Sequence, residues 1–137
     1  IMKNVLHILV SLVFLINYGC KAQQMVQTTT DVPKLKTNEQ QFINKPLKDL
    51  LKEIKPEIKM AFGNIGDPCF FTFRFIDIEE TKRLRSENAL FLYVYVIEPL
   101  DWYFEKREKG KEYQWTKEDV EKYGNLTVIR IKIGGKY

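Results

Sequence analysis

Phenylalanine occupies alternate positions at Phe71, Phe73 and Phe75. Successive side chains of a β-strand point to opposite faces, so this period of two places all three rings on one side of a strand. Three phenyl rings on one face need a covering layer, and the rest of the chain must supply it. The other face of residues 70–78 carries Phe70, Thr72, Arg74, Ile76 and Ile78, which predicts a strand buried fully on one side and partly on the second. Residues 90–97 are almost continuously apolar and rich in Tyr and Val, as a central strand covered on both faces would be. Residues 126–133 alternate, with Thr127, Ile129, Ile131 and Ile133 expected inward and Arg130 and Lys132 outward. A shorter strand over 58–62 runs into a cluster of turn formers from Gly63 to Pro68.

The strongest helical period lies over 46–55. Leu47, Leu50, Leu51 and Ile54 recur at i, i+3, i+4 and i+7, Pro46 suits a helix start, and Pro56 ends it. Lys45, Lys48, Lys52 and Lys55 form a basic sector beside that stripe, suited to solvent or to anionic lipid headgroups. Thr116 and Asp119 read as a capping box that opens a short helix closed by Gly124. Residues 79–88 are a charged connection with a helical turn over 81–85. Residues 100–115 admit two readings: a helix capped by Asp101 and stopped at Gly110, favoured slightly, or a hairpin pairing Trp102 and Phe104 with Tyr113 and Trp115. With 45% apolar residues, the chain is predicted to be one small α+β domain. Its antiparallel sheet of about four strands has the 46–55 amphipathic helix packed on a face.

The N-terminus is of a different kind. Met2-Lys3-Asn4 precedes residues 5–16, in which only His7 and Ser11 are not apolar, and Gly19-Cys20 follows. Twelve helical residues rise about 18 Å, short of the roughly 30 Å hydrocarbon core of a bilayer, so the run reads as an export signal. Gly19-Cys20-Lys21-Ala22-Gln23-Gln24 after that run resembles the lipoprotein leaders of the Bacteroidota. The resemblance covers residues 2–24 only. It implies a signal peptide over 1–19, acylation of Cys20, anchoring to a membrane through that lipid, and an outer-membrane position facing the periplasm. Cys20-Lys21-Ala22 also has the small-x-small form of an ordinary signal-peptidase site, and a cut there predicts a soluble secreted chain. Residues 21–37 are polar without sustained periodicity, so 20–37 is expected to be a lipidated cysteine and tether, with 38–137 as the globular domain. The alternative is a segment laid on the domain through Val26, Val32 and Leu35.

Removing the leader removes His7, the only histidine. The remainder then has no Ser-His or Cys-His pair, no imidazole base and no histidine metal ligand. With Cys69 as the only cysteine besides Cys20, a zinc site of Cys and His is excluded by counting, and burial between Pro68 and Phe70 is expected for its thiol. No glycine cluster forms a phosphate-cradling loop, and the acids never form a calcium loop. No catalytic, metal or cofactor site is therefore predicted. A carboxylate-based hydrolase, with Glu98 and Asp101 as the acids to test, is the weakest reading.

The positive feature is aromatic. Trp102, Tyr103, Phe104, Tyr113 and Trp115 stand within 14 residues, interleaved with Arg107 and lysines. Such residues stack on sugars, fill protein pockets or pack a core. The candidate binding patch is Trp102, Tyr103, Arg107, Tyr113 and Trp115, on a non-enzymatic envelope protein whose sheet face or loops bind an envelope protein or a glycan. An inhibitor or immunity-type protein acting on a secreted enzyme is the alternative. Nucleic acid is not expected: the net charge of +4 comes from bases interspersed with acids, and the leader directs export.

Overall fold

A computed structural model of the chain describes residues 23–84 and 89–135. The leader and Cys20 lie outside the described residues. Strands β1 (Met60–Asn64), β2 (Cys69–Arg74), β3 (Phe91–Val96) and β4 (Val128–Gly134) pair in chain order as one antiparallel sheet. Among the described residues four short α-helices accompany it: α1 (Pro33–Thr37), α2 (Leu47–Leu51), α3 (Ile78–Leu84) and α4 (Lys117–Tyr123). This is the expected small α+β arrangement.

The register sorts the sheet into two faces. On the core face, Ala61, Phe73, Leu92 and Ile133 lie side by side, as do Gly63, Phe71, Val94 and Ile131. Phe71, Phe73, Leu92, Val94 and Ile131 have no exposed surface, and Phe75 is buried beyond the strand end. The period of two therefore places the phenylalanines as expected. Cys69 is also buried, and its thiol donates to the Gly66 carbonyl at 3.2 Å.

Strand expectations change on all four strands: β1 lies at Met60–Asn64 and takes in Gly63, in place of the expected 58–62, and β2 ends at Arg74, with Ile78 opening α3. Residues 91–96 alternate between half-buried and buried, so β3 is central but covered on one face only; Phe91, Tyr93 and Tyr95 look outward. In β4, Tyr95 pairs with Arg130 but Val96 pairs with Val128, leaving Ile129 as the extra residue of a bulge. The bulge turns Val128 into the core in place of Ile129. The Glu98 carboxylate receives the Thr127 backbone N–H just before it, at 2.7 and 2.8 Å.

Residues 23–37 do not form a tether. Val26, Val32 and Leu35 are fully buried. Val26 forms a parallel bridge with Ile54, through Val26 N–H to the Glu53 carbonyl at 2.8 Å and Lys55 N–H to the Val26 carbonyl at 2.9 Å. The domain thus begins before residue 38. The segment continues along the outer edge of β4: Asn44 N–H donates to the Val128 carbonyl, Val128 N–H to the Lys45 carbonyl, and Ile131 N–H to the Glu39 carboxylate. An edge that would otherwise offer unpaired backbone groups is closed by the chain itself.

Helix α2 is shorter than the 46–55 period predicts, because Ile54 leaves the helix for the bridge with Val26. Its first-turn N–H groups on Leu47 and Lys48 donate to the Leu126 and Gly124 carbonyls, tying it to the end of α4. Leu47 and Leu50 are buried, while Lys45, Lys48, Lys52 and Lys55 are exposed. The Thr116–Asp119 capping box is present in full. Residues 100–115 are neither the helix nor the hairpin expected. They form an irregular loop with one 3₁₀ turn (Phe104–Lys106) and Gly110 at φ 87°.

Candidate functional site

The five residues of the aromatic patch serve three different purposes. Trp102 is buried and belongs to the core, edge-on to Phe71 at 5.8 Å between centroids. Trp115 packs against the same core, 5.0 Å from Phe73 and 6.3 Å from Trp102. Space for this cluster is made at Gly63, where an added Cβ would lie 2.7 Å from the Trp102 Cβ. The two indoles are therefore a core feature and not a patch. Arg107 is structural as well. Its guanidinium lies 3.7 Å from the Trp102 ring, donates to both Asp119 oxygens at 3.2 and 3.0 Å, and bonds the Glu112 and Gln114 carbonyls. One side chain thus gathers the whole 101–115 loop onto the cap of α4.

Tyr103 remains exposed at the rim of a cleft of about 440 Å³ that Asp101, Lys106, Arg107, Lys122 and Tyr123 also line. Lys122 and Asp101 pair at 2.9 Å. The hydrogen bond from Lys122 chiefly holds the Asp101 carboxyl below its ordinary value, and the same bond raises Lys122. Burial foremost, and then Asp101, pushes Tyr123 up. A carboxylate held low and an ammonium held high keep their charges around neutrality, which suits an ion pair better than proton transfer.

Tyr113 belongs elsewhere. Its carbonyl accepts the Ala61 N–H at 2.7 Å on the outer edge of β1, and its ring meets Phe62 at 6.1 Å. Phe62 leads onto the second face of the sheet, where the register forms a grid of three rows: Met60, Arg74, Phe91 and Gly134; Phe62, Thr72, Tyr93 and Lys132; Asn64, Phe70, Tyr95 and Arg130. Five of these twelve residues are aromatic, three are cationic and none is acidic. Phe70 stacks on Tyr95 at 4.8 Å, while Tyr93 stands at 68° to Phe70 and 65° to Phe91. Tyr93 leans over β4 because Gly134 has no side chain; a Cβ there would come within 2.6 Å of its ring.

Cations lie over these rings. The Arg74 guanidinium sits 4.3 Å from the Phe91 centroid, and Arg130 and Lys132 sit 5.5 and 5.6 Å from that of Tyr95. Such contacts hold a charge in place without neutralising it. None of the three forms an ion pair among the described residues, and the buried Arg74 Nε has no hydrogen-bond partner there. Beside Arg74, α3 rises over one end of the face and leaves a hollow of about 400 Å³, lined by Met60, Phe62, Arg74, Ile78, Lys82 and Tyr113.

The alternation of Phe91, Tyr93 and Tyr95 with Leu92, Val94 and Val96 was the available signal for this surface, since phenols sit more readily at a half-wet face than aliphatic chains do. Among the described residues no group of three or more His, Cys, Asp or Glu is placed to hold a metal ion, and no helix is long and apolar enough to cross a membrane. No family model, curated protein or solved structure matches this chain.

Proposed function

We propose that the protein is a non-enzymatic binding module of a bacterial cell envelope that engages its partner through the second face of the sheet. The observation that carries this reading is the grid itself: five aromatic rings and three cations that form no ion pair among the described residues, with no acid among its twelve positions. Arg74 is half-buried and has no ion pair among the described residues, and a face needed only for stability gains nothing from desolvating such a charge. The leader's resemblance to lipoprotein signals supports an anchor at Cys20 and a position facing the periplasm, with the partner an envelope protein or a glycan.

A photo-activated crosslinker placed at Tyr93 in the full chain, expressed in the native cell, tests this reading. The expected result is an envelope-fraction adduct from position 93, absent when the crosslinker stands at Lys52 on α2. Adducts from Tyr103 at the cleft but none from Tyr93 would move the binding surface to the 101–123 region. A chain recovered from the cytosol with Cys20 unmodified would overturn the envelope reading.

A further inference from the structure

The chemistry of the face selects among partners. We infer that its ligand is an anionic glycan, bound across the rows with an acidic group seated in the hollow beside Arg74. This inference rests on the reading of the second face as the binding surface.

Charge is the first argument. Arg74 stands at one end of the grid, and Lys132 and Arg130 stand on β4, two strands away. Two strand spacings, roughly 10 Å, separate β2 from β4. An extended ligand with acidic groups along its length can meet cations at both sides, and guanidinium pairs well with carboxylate, sulfate or phosphate. A second copy of the chain is disfavoured by the same charges, because two such faces would set Arg74, Arg130 and Lys132 against one another without an acid on either side.

Shape is the second argument. The rings do not form a flat stacking platform, since Tyr93 stands at 65° and 68° to its neighbours and the cations already lie over Phe91 and Tyr95. A flat nucleobase needs an open ring face to stack on. A puckered sugar offers small C–H patches that fit between tilted rings, and its hydroxyls can meet the Tyr93 and Tyr95 phenols, which lie on the half-buried face of β3. The hollow is apolar on the side of Met60, Phe62 and Ile78 and cationic at Arg74, while Lys82 at its rim pairs with Glu79 at 3.7 Å, which suits one ring carrying one acidic group.

Calorimetric titration of the full chain in detergent with alginate, heparin fragments, neutral dextran and a 15-mer of thymidine tests the inference. Alginate or heparin should bind, with dextran and the oligonucleotide at least about tenfold weaker. Arg74→Gln and Lys132→Gln should each weaken binding about tenfold. Tyr93→Ser should do so too although it leaves the charge unchanged, and Lys52→Gln should have no effect. Urea midpoints confirm that each variant is folded. Equal binding of dextran, tighter binding of the oligonucleotide, an unchanged Tyr93→Ser variant or no binding to any glycan would each overturn the inference. If the glycans fail while the crosslinker at Tyr93 captures an envelope protein, the glycan falls and the binding face stands; if position 93 captures nothing, both fall.

Discussion

Arg107 directs four hydrogen bonds to three segments: the Glu112 carbonyl, the Gln114 carbonyl and the Asp119 carboxylate. A lysine has one point charge and no fork, so it cannot bridge all three. Arg107→Lys should cost about 2 kcal/mol, from the loss of charge-assisted hydrogen bonds, read as a lower urea midpoint at unchanged slope. Its partner supplies a pH test. Burial raises the Asp119 carboxyl, but the Arg107 guanidinium and the Thr116 groups outweigh it, so the net shift is below the ordinary 3.8. A carboxyl that holds its proton less tightly when folded stabilises the fold while ionised. That contribution is full above 3.8 and is lost as pH falls through the lower folded value. Asp119→Asn should therefore be less stable than wild type at pH 7, with the gap closing in acid; a gap constant from pH 7 to 2 would show that the charge contributes nothing. The sequence showed Arg107 as a candidate contact and could not show its occupation, because Glu112 and Gln114 offer main-chain atoms that any residue carries. Trp102 leaves a trace in the sequence. Gly63 reads as a turn former in the sequence, but it lies inside β1, where a glycine marks close approach of another group, and that group is Trp102.

At the scale of elements, local periods predicted the strands and the cap of α4, while contacts distant in sequence decided the rest. The paired acid and hydroxyl of Thr116 and Asp119 lie three residues apart and so are visible in the sequence. Val26, Val32 and Leu35 have no period because they belong to no long element; each is buried by what it meets, and Val26 meets Ile54. The same contact shortens α2. Residues 23–37 are consequently a stability element. Leu35→Ala should destabilise the fold by about 2–5 kcal/mol, as truncation of a fully buried leucine does, whereas a flexible tether would tolerate it without effect. Urea unfolding gives the magnitude. Hydrogen exchange gives the location, since the Val26 and Lys55 amides should be protected through their mutual bridge; rapid exchange at both would return the segment to the tether reading.

For the molecule as a whole, the sheet divides its labour between faces. The core face spends its side chains on Phe71, Phe73, Leu92, Val94 and Ile131, all fully buried, and the N-terminal segment, α2 and the 100–123 region cover it. The second face keeps half-buried rings and cations that form no ion pair among the described residues. Substitutions on the two faces should therefore separate stability from binding. Phe71→Ala should cost about 3–5 kcal/mol, because it opens a cavity beneath Trp102, Trp115 and Tyr123, and whatever fraction remains folded should bind alginate as wild type does. Tyr93→Ser removes ring contacts of the kind worth about 0.5–1.5 kcal/mol, so its urea midpoint should fall only slightly while alginate binding weakens about tenfold. The two residues occupy neighbouring strands of one sheet, so only the face distinguishes them. If Tyr93→Ser unfolded the protein as readily as Phe71→Ala, the outward rings would be a second core, and the cations over them would need no ligand.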